Sequence, residues 1–177
     1  MINVPIALTL LRLCLIPVII FTLFLQHWQL AFRLLLIAVA TDFLDGFLAR
    51  KLNQATKIGA LLDHLSDKIL IISLFITFLL IPVSVPTWLL VLVLVKETVM
   101  LALVGILVRR KHIVMITPLA IGKVAMAMQM LFALWVIASQ VWSLPLHAWV
   151  IWAVTLFVVL SILFYGMVGW QLLQRKS

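Results

Sequence analysis

Residues 31–50 read AFRLLLIAVATDFLDGFLAR, an apolar run of helix length that closes with two aspartates and an arginine. Residues 59–81, GALLDHLSDKILIISLFITFLLI, reverse this order, because two aspartates come first and the apolar run follows. About 20 apolar residues are enough for a helix to cross a bilayer. The two stretches therefore predict a pair of membrane helices joined by a short loop, with four carboxylates close to that loop. The four acids are Asp42, Asp45, Asp63 and Asp67.

The rest of the chain has the same apolar character. Hydrophobic residues make up 67% of the 177 residues and charged residues only 10%, with a mean hydropathy of +1.34, whereas soluble domains carry about 25% charged residues. We therefore predict an all-α integral membrane protein, a six-transmembrane-helix bundle that forms a single domain over residues 1–177. No removable signal peptide is expected, since Met1 leads almost directly into the first span. The predicted spans are 5–26, 31–50, 59–81, 87–108, 119–139 and 147–171.

The distribution of lysine and arginine predicts how the helices cross the membrane. Basic residues lie between spans two and three, between spans four and five and at the carboxyl terminus, whereas the other three loops have none. Cytoplasmic loops carry the excess of positive charge, so we predict a multi-pass protein of the cytoplasmic (inner) membrane, with both termini and the four acids on the cytoplasmic side. The net charge of +8 then reflects topology and attraction to membrane lipid, and no nucleic acid is expected as a partner.

Helical spacing brings the four acids into one group. Residues three or four positions apart share a helix face, so each pair of aspartates forms a stripe, and the short loop turns the two stripes toward each other. Four carboxylates form an oxygen-rich site, which suits a hard cation, Mg²⁺ or Mn²⁺, and two divalent ions would balance the four negative charges. Arg50 is placed to bind a phosphate, whereas Lys57 and Lys68 either do the same or serve only as interface charge and counterion.

The residues around the acids resemble a known signature. The pattern D-x2-D-G-x2-A-R-x8-G-x3-D-x3-D of the CDP-alcohol phosphotransferase family is matched by residues 42–67 at all eight fixed positions. The resemblance implies a six-helix membrane enzyme, active as a homodimer, that transfers a substituted phosphoryl group from a CDP-linked donor to an alcohol and releases CMP.

The same resemblance implies a role for each matched position. Asp67 would be the catalytic base that takes the proton of the attacking hydroxyl, in addition to binding metal. The positions that contact the cytidine diphosphate group of the donor, or give it room, would be Gly46, Ala49, Arg50, Thr56 and Gly59. The ligands of the divalent ions would be Asp42, Asp45, Asp63 and Asp67.

Within the family, the chain is most similar to the bacterial branch that joins CDP-diacylglycerol to sn-glycerol 3-phosphate. The likeness begins at residues 3–12, with the pattern N-x-P-x3-T-x2-R, and departs from the branch at His64, where proline is usual, and at Lys96, where arginine is usual. An acceptor that is itself a phosphate requires nearby cations. The candidates are Lys123, which we favour, and Arg109, Arg110, Lys111, Lys57 and Lys96.

Three alternatives remain open at this point. A cardiolipin synthase of the same family would keep the signature but take phosphatidylglycerol, a lipid, as its acceptor. A cation channel or transporter would line an ion path with intramembrane carboxylates, although the acids lie near one face and the outer halves of the spans lack polar residues. A catalytically inactive scaffold would be expected to lack part of the signature. A liposome ion-flux assay would separate a channel from an enzyme that releases CMP.

Overall fold

The computed structural model describes residues 4–51, 57–109 and 120–174, and this part of the chain folds into six α-helices without a β-strand. Each helix covers one of the six predicted spans, with ends that differ by a few residues, so the predicted all-α fold class is confirmed. The helices are α1 (Val4–Phe24), α2 (Trp28–Lys51), α3 (Lys57–Leu80), α4 (Thr87–Arg109), α5 (Ala120–Trp142) and α6 (Ala148–Gln174).

Three of these helices contain a stretch that is long and apolar enough to cross a membrane. The other three helices each contain at least three charged residues, whereas α1 and α5 contain one each and α6 contains none. Large apolar side chains such as Phe21, Leu131 and Trp149 are exposed on the helix surfaces, which is typical of a surface that contacts lipid. The chain therefore has the features of a membrane protein. The three candidate spans are Ala7–Phe24 in α1, Gly122–Trp142 in α5 and Ala148–Met167 in α6.

The described helices belong to two compact units. The first unit contains α1, α2, α3 and the end of α5, within Met1–Val83 and Leu134–Pro145. The second contains α4, the beginning of α5 and α6, within Ser84–Ala133 and Leu146–Ser177. Each unit has its own buried core. The single domain over residues 1–177 stays a prediction.

In the first unit, α1 packs against both α2 and α3. The buried side chains of α1 recur every three or four residues, from Thr9 and Arg12 to Leu23, so they form one face of the helix. On α2 the buried positions include Ala31 and Ala38, whose small side chains let the backbones of α1 and α2 approach closely. The three helices thus enclose an apolar core that becomes polar toward the beginning of α1.

The connection from α1 to α2 is short because α1 ends in a Schellman motif. Gln26 has a φ of 57°, and its N–H donates to the Leu23 carbonyl oxygen at 3.0 Å. The N–H of His27 donates to the Thr22 carbonyl oxygen at 2.9 Å. The chain reverses at this point and α2 begins at Trp28, so the two helices pack side by side in opposite directions. The end of α2 therefore lies level with the beginning of α1.

In the second unit, α4 packs against α6, and polar residues are buried within it. Lys96 and Glu97 of α4 are 2% and 0% exposed. The Lys96 ammonium donates hydrogen bonds to the Glu97 carboxylate and to Oε1 of Gln129 on α5, the latter at 3.2 Å. A charge within an apolar helix is costly unless it is paired. These hydrogen bonds therefore explain how α4 can bury two ionised side chains.

The contact between α5 and α6 depends on Gly122. A Cβ atom at this position would lie 2.1 Å from the Tyr165 hydroxyl and 2.9 Å from two ring atoms, so the rigid, buried ring would have to move as a whole. We expect Gly122→Ala to destabilise the protein by about 1–3 kcal/mol, as overpacking does, measured by thermal unfolding in detergent. Gly166→Ala is the matched control, since no described atom lies within 4 Å of its added Cβ. A melting temperature that Gly122→Ala leaves unchanged would contradict this contact.

Candidate metal centre

The faces of α2 and α3 that pack against α1 are apolar along most of their length. They become acidic near the end of α2 and near the beginning of α3. On α2, Asp42 continues the buried face of Leu35 and Ala38 at four-residue spacing. On α3, Asp63 and Asp67 lie one turn apart and continue the apolar face of the following turns. Because residues at this spacing share a helix face, the packing that forms the core also points these three carboxylates toward α1.

Arg12 of α1 lies among the three carboxylates, and its side chain is fully buried. Its Nη1 atom is 3.0 Å from Asp42 Oδ1 and 3.1 Å from Asp63 Oδ1. The same atom is 2.5 Å from Asp67 Oδ1 and 3.2 Å from the Ser66 hydroxyl oxygen. One guanidinium group thus links α1 to both α2 and α3 through charge-assisted hydrogen bonds.

The carboxylates of Asp42, Asp63 and Asp67 form an acidic triad that fits a divalent cation. One oxygen atom from each lies within 4.8 Å of the others. Oxygen ligands around Mg²⁺, at bond lengths of about 2.1 Å, are at most about 4.2 Å apart, so small side-chain movements bring the triad to coordination distances. The side chains of Asp42 and Asp63 are 44% and 38% exposed, whereas that of Asp67 is 9% exposed. The triad could therefore hold a hard cation that water can approach from one side.

For several residues predicted for this site, the structure does not describe the side chain or does not describe the residue at all. Thr56 belongs to residues 52–56, which are not described. Gly59 is described, and it is half-buried near the beginning of α3. The structure brings together Asp42, Asp63 and Asp67, and the roles of the others stay predictions. Six of these other residues lie in α2 or α3, but the structure does not describe their side chains. They are Asp45, Gly46, Ala49, Arg50, Lys57 and His64.

Except for Lys57, the basic residues predicted to bind an acceptor phosphate belong to the second unit or to the residues that the structure does not describe. Lys123 is exposed near the beginning of α5. Lys96 is buried, and its ammonium makes the two hydrogen bonds described above. Arg109 ends α4, but its side chain is not described, and Arg110 and Lys111 lie outside the described residues altogether. Their part in acceptor binding stays a prediction.

Arg12 is the member of this cluster to which the sequence assigned no role. In the sequence it is only the last position of the pattern at residues 3–12. A signal was nevertheless present, because Arg12 lies about 12 Å along the helix from the beginning of α1. An arginine at such a depth in an apolar helix requires an acidic partner. Four aspartates on the next two helices were the available partners.

In the part of the chain that the structure describes, six helices with three candidate membrane spans, and a carboxylate triad where three helices meet, define a helical membrane protein with a candidate divalent-metal centre. The sequence model of the CDP-alcohol phosphatidyltransferase family matches residues 2–162. The chain belongs to this family. The matched residues include the triad and Arg12.

The chain is also similar to bacterial proteins named CDP-diacylglycerol–glycerol-3-phosphate 3-phosphatidyltransferase. The protein of Wigglesworthia glossinidia brevipalpis is 44% identical over 73 residues, which are 40% of this chain and 40% of the relative. That of Aquifex aeolicus (strain VF5) is 46% identical over 67 residues, 38% of each chain. That of Escherichia coli (strain K12) is 44% identical over 72 residues, 39% of this chain and 40% of the relative. The aligned segments thus span about two fifths of the length of these relatives.

Proposed function

We propose that the protein transfers the phosphatidyl group of CDP-diacylglycerol to sn-glycerol 3-phosphate, which yields phosphatidylglycerophosphate and CMP. The acidic triad of Asp42, Asp63 and Asp67 carries this proposal, because it lies within a chain that belongs to the CDP-alcohol phosphatidyltransferase family. The relatives described above are named for this donor and this acceptor, which supports the choice of substrates.

The triad, together with Asp45, is proposed to hold two divalent ions, Mg²⁺ or Mn²⁺. When bound, the ions would neutralise the pyrophosphate of the donor and make CMP a better leaving group. The all-oxygen composition of the triad supports this choice of ions. The partial exposure of the Asp42 and Asp63 side chains supports access of a charged substrate from water.

Asp67 is proposed to take the proton from the attacking hydroxyl of glycerol 3-phosphate. The hydroxyl oxygen then bonds to the phosphorus that carries the diacylglycerol group, and the bond between that phosphorus and CMP breaks, with its electron pair leaving on CMP. The low exposure of the Asp67 side chain supports this role, since a site with little access to water limits the loss of the transferred proton to solvent.

The donor and acceptor are proposed to be bound by separate groups of residues. Arg50 would pair with a phosphate of the donor, while the small residues of the signature let the nucleotide approach the helix backbones. The proposed donor-binding residues are Gly46, Ala49, Arg50, Thr56 and Gly59. For the acceptor phosphate we propose Lys123 first, because it is exposed, followed by Arg109, Arg110, Lys111, Lys57 and Lys96.

All six helices are proposed to cross the cytoplasmic (inner) membrane as one bundle, with both termini and the metal centre on the cytoplasmic side. The basic connections between α2 and α3 and between α4 and α5 support this orientation. Tryptophans at the opposite helix ends, Trp28, Trp88, Trp142 and Trp149, support an outer interface there. The protein is also proposed to act as a homodimer, with the acyl chains of its donor in the surrounding lipid.

The proposed activity is tested by CMP release from the purified protein in detergent. We expect release with CDP-diacylglycerol, Mg²⁺ and glycerol 3-phosphate together, and none after EDTA removes the metal. Phosphatidylglycerol replaces glycerol 3-phosphate in the comparison reaction. If CMP is released with phosphatidylglycerol but not with glycerol 3-phosphate, the acceptor is phosphatidylglycerol and the protein is a cardiolipin synthase. An absence of release with either acceptor would contradict the proposed reaction.

A further inference from the structure

A single atom of Arg12, Nη1, is shared by the three carboxylates of the acidic triad. It contacts one oxygen of each carboxylate, at distances of 2.5 to 3.1 Å, and the hydroxyl oxygen of Ser66 at 3.2 Å. A guanidinium NH₂ group carries two protons, so it cannot donate a separate hydrogen bond to each of four oxygens. The arrangement is closer to that of a cation surrounded by its ligands than to the two parallel hydrogen bonds of an ordinary arginine–carboxylate pair.

A divalent ion bound by the same three carboxylate oxygens would compete with Arg12 Nη1, which already contacts each of them. Its bonds to these oxygens would be about 2.1 Å long, which leaves no volume for a nitrogen atom between them. Two positive groups at such a separation also repel each other strongly, because the Arg12 side chain is fully buried. The Arg12 guanidinium and a divalent ion therefore exclude each other from these oxygens.

We propose that Arg12 is an internal counterion that competes with the divalent ion for the carboxylates of Asp42, Asp63 and Asp67, and that the ion displaces it on binding. The inference rests on the proposed metal centre. Without a positive charge beside them, three carboxylates with oxygens within 4.8 Å of one another would repel one another. Arg12 therefore holds them together until the ion binds, and it sets the ion concentration that binding requires. It is a positioning residue, since it acts through the carboxylates.

Equilibrium binding of Mn²⁺ to the purified protein in detergent, followed by the electron paramagnetic resonance of free Mn²⁺, tests this proposal. We expect Arg12→Gln to lower the Kd for Mn²⁺ by at least about tenfold, because a competing positive charge is removed. A residue that only oriented the carboxylates would give the opposite result, a raised Kd. Arg12→Lys keeps the positive charge that competes with the ion, so its Kd is expected to stay within about threefold of that of the unaltered protein.

Two further proteins serve as controls in the same experiment. Arg33→Gln removes an exposed arginine of α2 and is expected to leave the Kd unchanged. Asp67→Asn removes a proposed metal ligand and is expected to raise the Kd for Mn²⁺. An unchanged or raised Kd for Arg12→Gln would overturn the role of Arg12 if the unaltered protein binds Mn²⁺ and Asp67→Asn binds it more weakly. No binding of Mn²⁺ to the unaltered protein would overturn the metal centre itself.

Arg12→Gln removes a buried positive charge, so its folding is measured as well. If the variant does not fold alone, Mn²⁺ is expected to restore a monodisperse, cooperatively melting protein, whereas K⁺ at equal ionic strength is not. Such recovery would support the exchange of arginine for metal, because the ion supplies the missing charge at the same point. Failure to recover with Mn²⁺ would overturn the proposal.

Discussion

Asp67→Asn is expected to lower the rate of CMP release by at least about a thousandfold. The substitution keeps the size of the side chain but removes its negative charge and its ability to accept a proton, and a general base alone contributes about 10²–10⁴ in rate. Asp67 is also the most buried carboxylate of the triad, with a side chain that is 9% exposed, against 44% for Asp42 and 38% for Asp63. Initial rates with saturating glycerol 3-phosphate measure the effect.

Asp42→Asn is the matched control for this experiment. It removes a carboxylate of the same triad, but not the proposed base. We therefore expect a higher concentration of Mg²⁺ to restore much of the activity of Asp42→Asn, because a weakened site still fills when more metal is present. The same concentration is not expected to restore Asp67→Asn. Equal recovery of the two variants would contradict the role of Asp67 as base and would leave it a metal ligand only.

Glu97→Gln is expected to lower the free energy of unfolding by about 3–5 kcal/mol, the usual cost of removing one member of a buried ion pair. Lys96 and Glu97 are 2% and 0% exposed. After the substitution, the Lys96 ammonium would remain buried without the charge of the Glu97 carboxylate. The hydrogen bond from Lys96 to Gln129 Oε1 would still be possible, but a neutral amide does not balance a charge. Unfolding in mixed detergent micelles measures the loss.

The double substitution of Lys96→Met and Glu97→Gln is the control for this prediction. It removes both charges together, and neutral replacements of a buried ion pair are often tolerated. We therefore expect the double variant to be more stable than Glu97→Gln alone, which would give a favourable coupling energy between the two residues. A double variant that loses the sum of the two single losses would show that the pair contributes nothing as a pair.

The all-α class and the positions of the helices could be predicted from the sequence because both depend on local properties. Apolar runs of sufficient length, separated by polar or proline-containing connections, predicted six helices whose ends agree with the structure within a few residues. The convergence of Asp42 with Asp63 and Asp67 was also predictable, since helical spacing and a short loop constrain neighbouring helices. Whether all six helices cross the membrane depends on the surrounding lipid and stays a prediction.

The six helices, the acidic stripes of α2 and α3 and the match to the family signature could be derived from the amino-acid sequence alone, because each depends on residues close together in the chain. The contacts of Arg12 with the triad and of Lys96 with Gln129 depend on how the helices pack, because Arg12 and Asp63 are 51 residues apart in the sequence and Lys96 and Gln129 are 33 residues apart. Helical periodicity specifies which residues share a face. Which face of another helix they meet is decided by how the side chains of all the helices pack together.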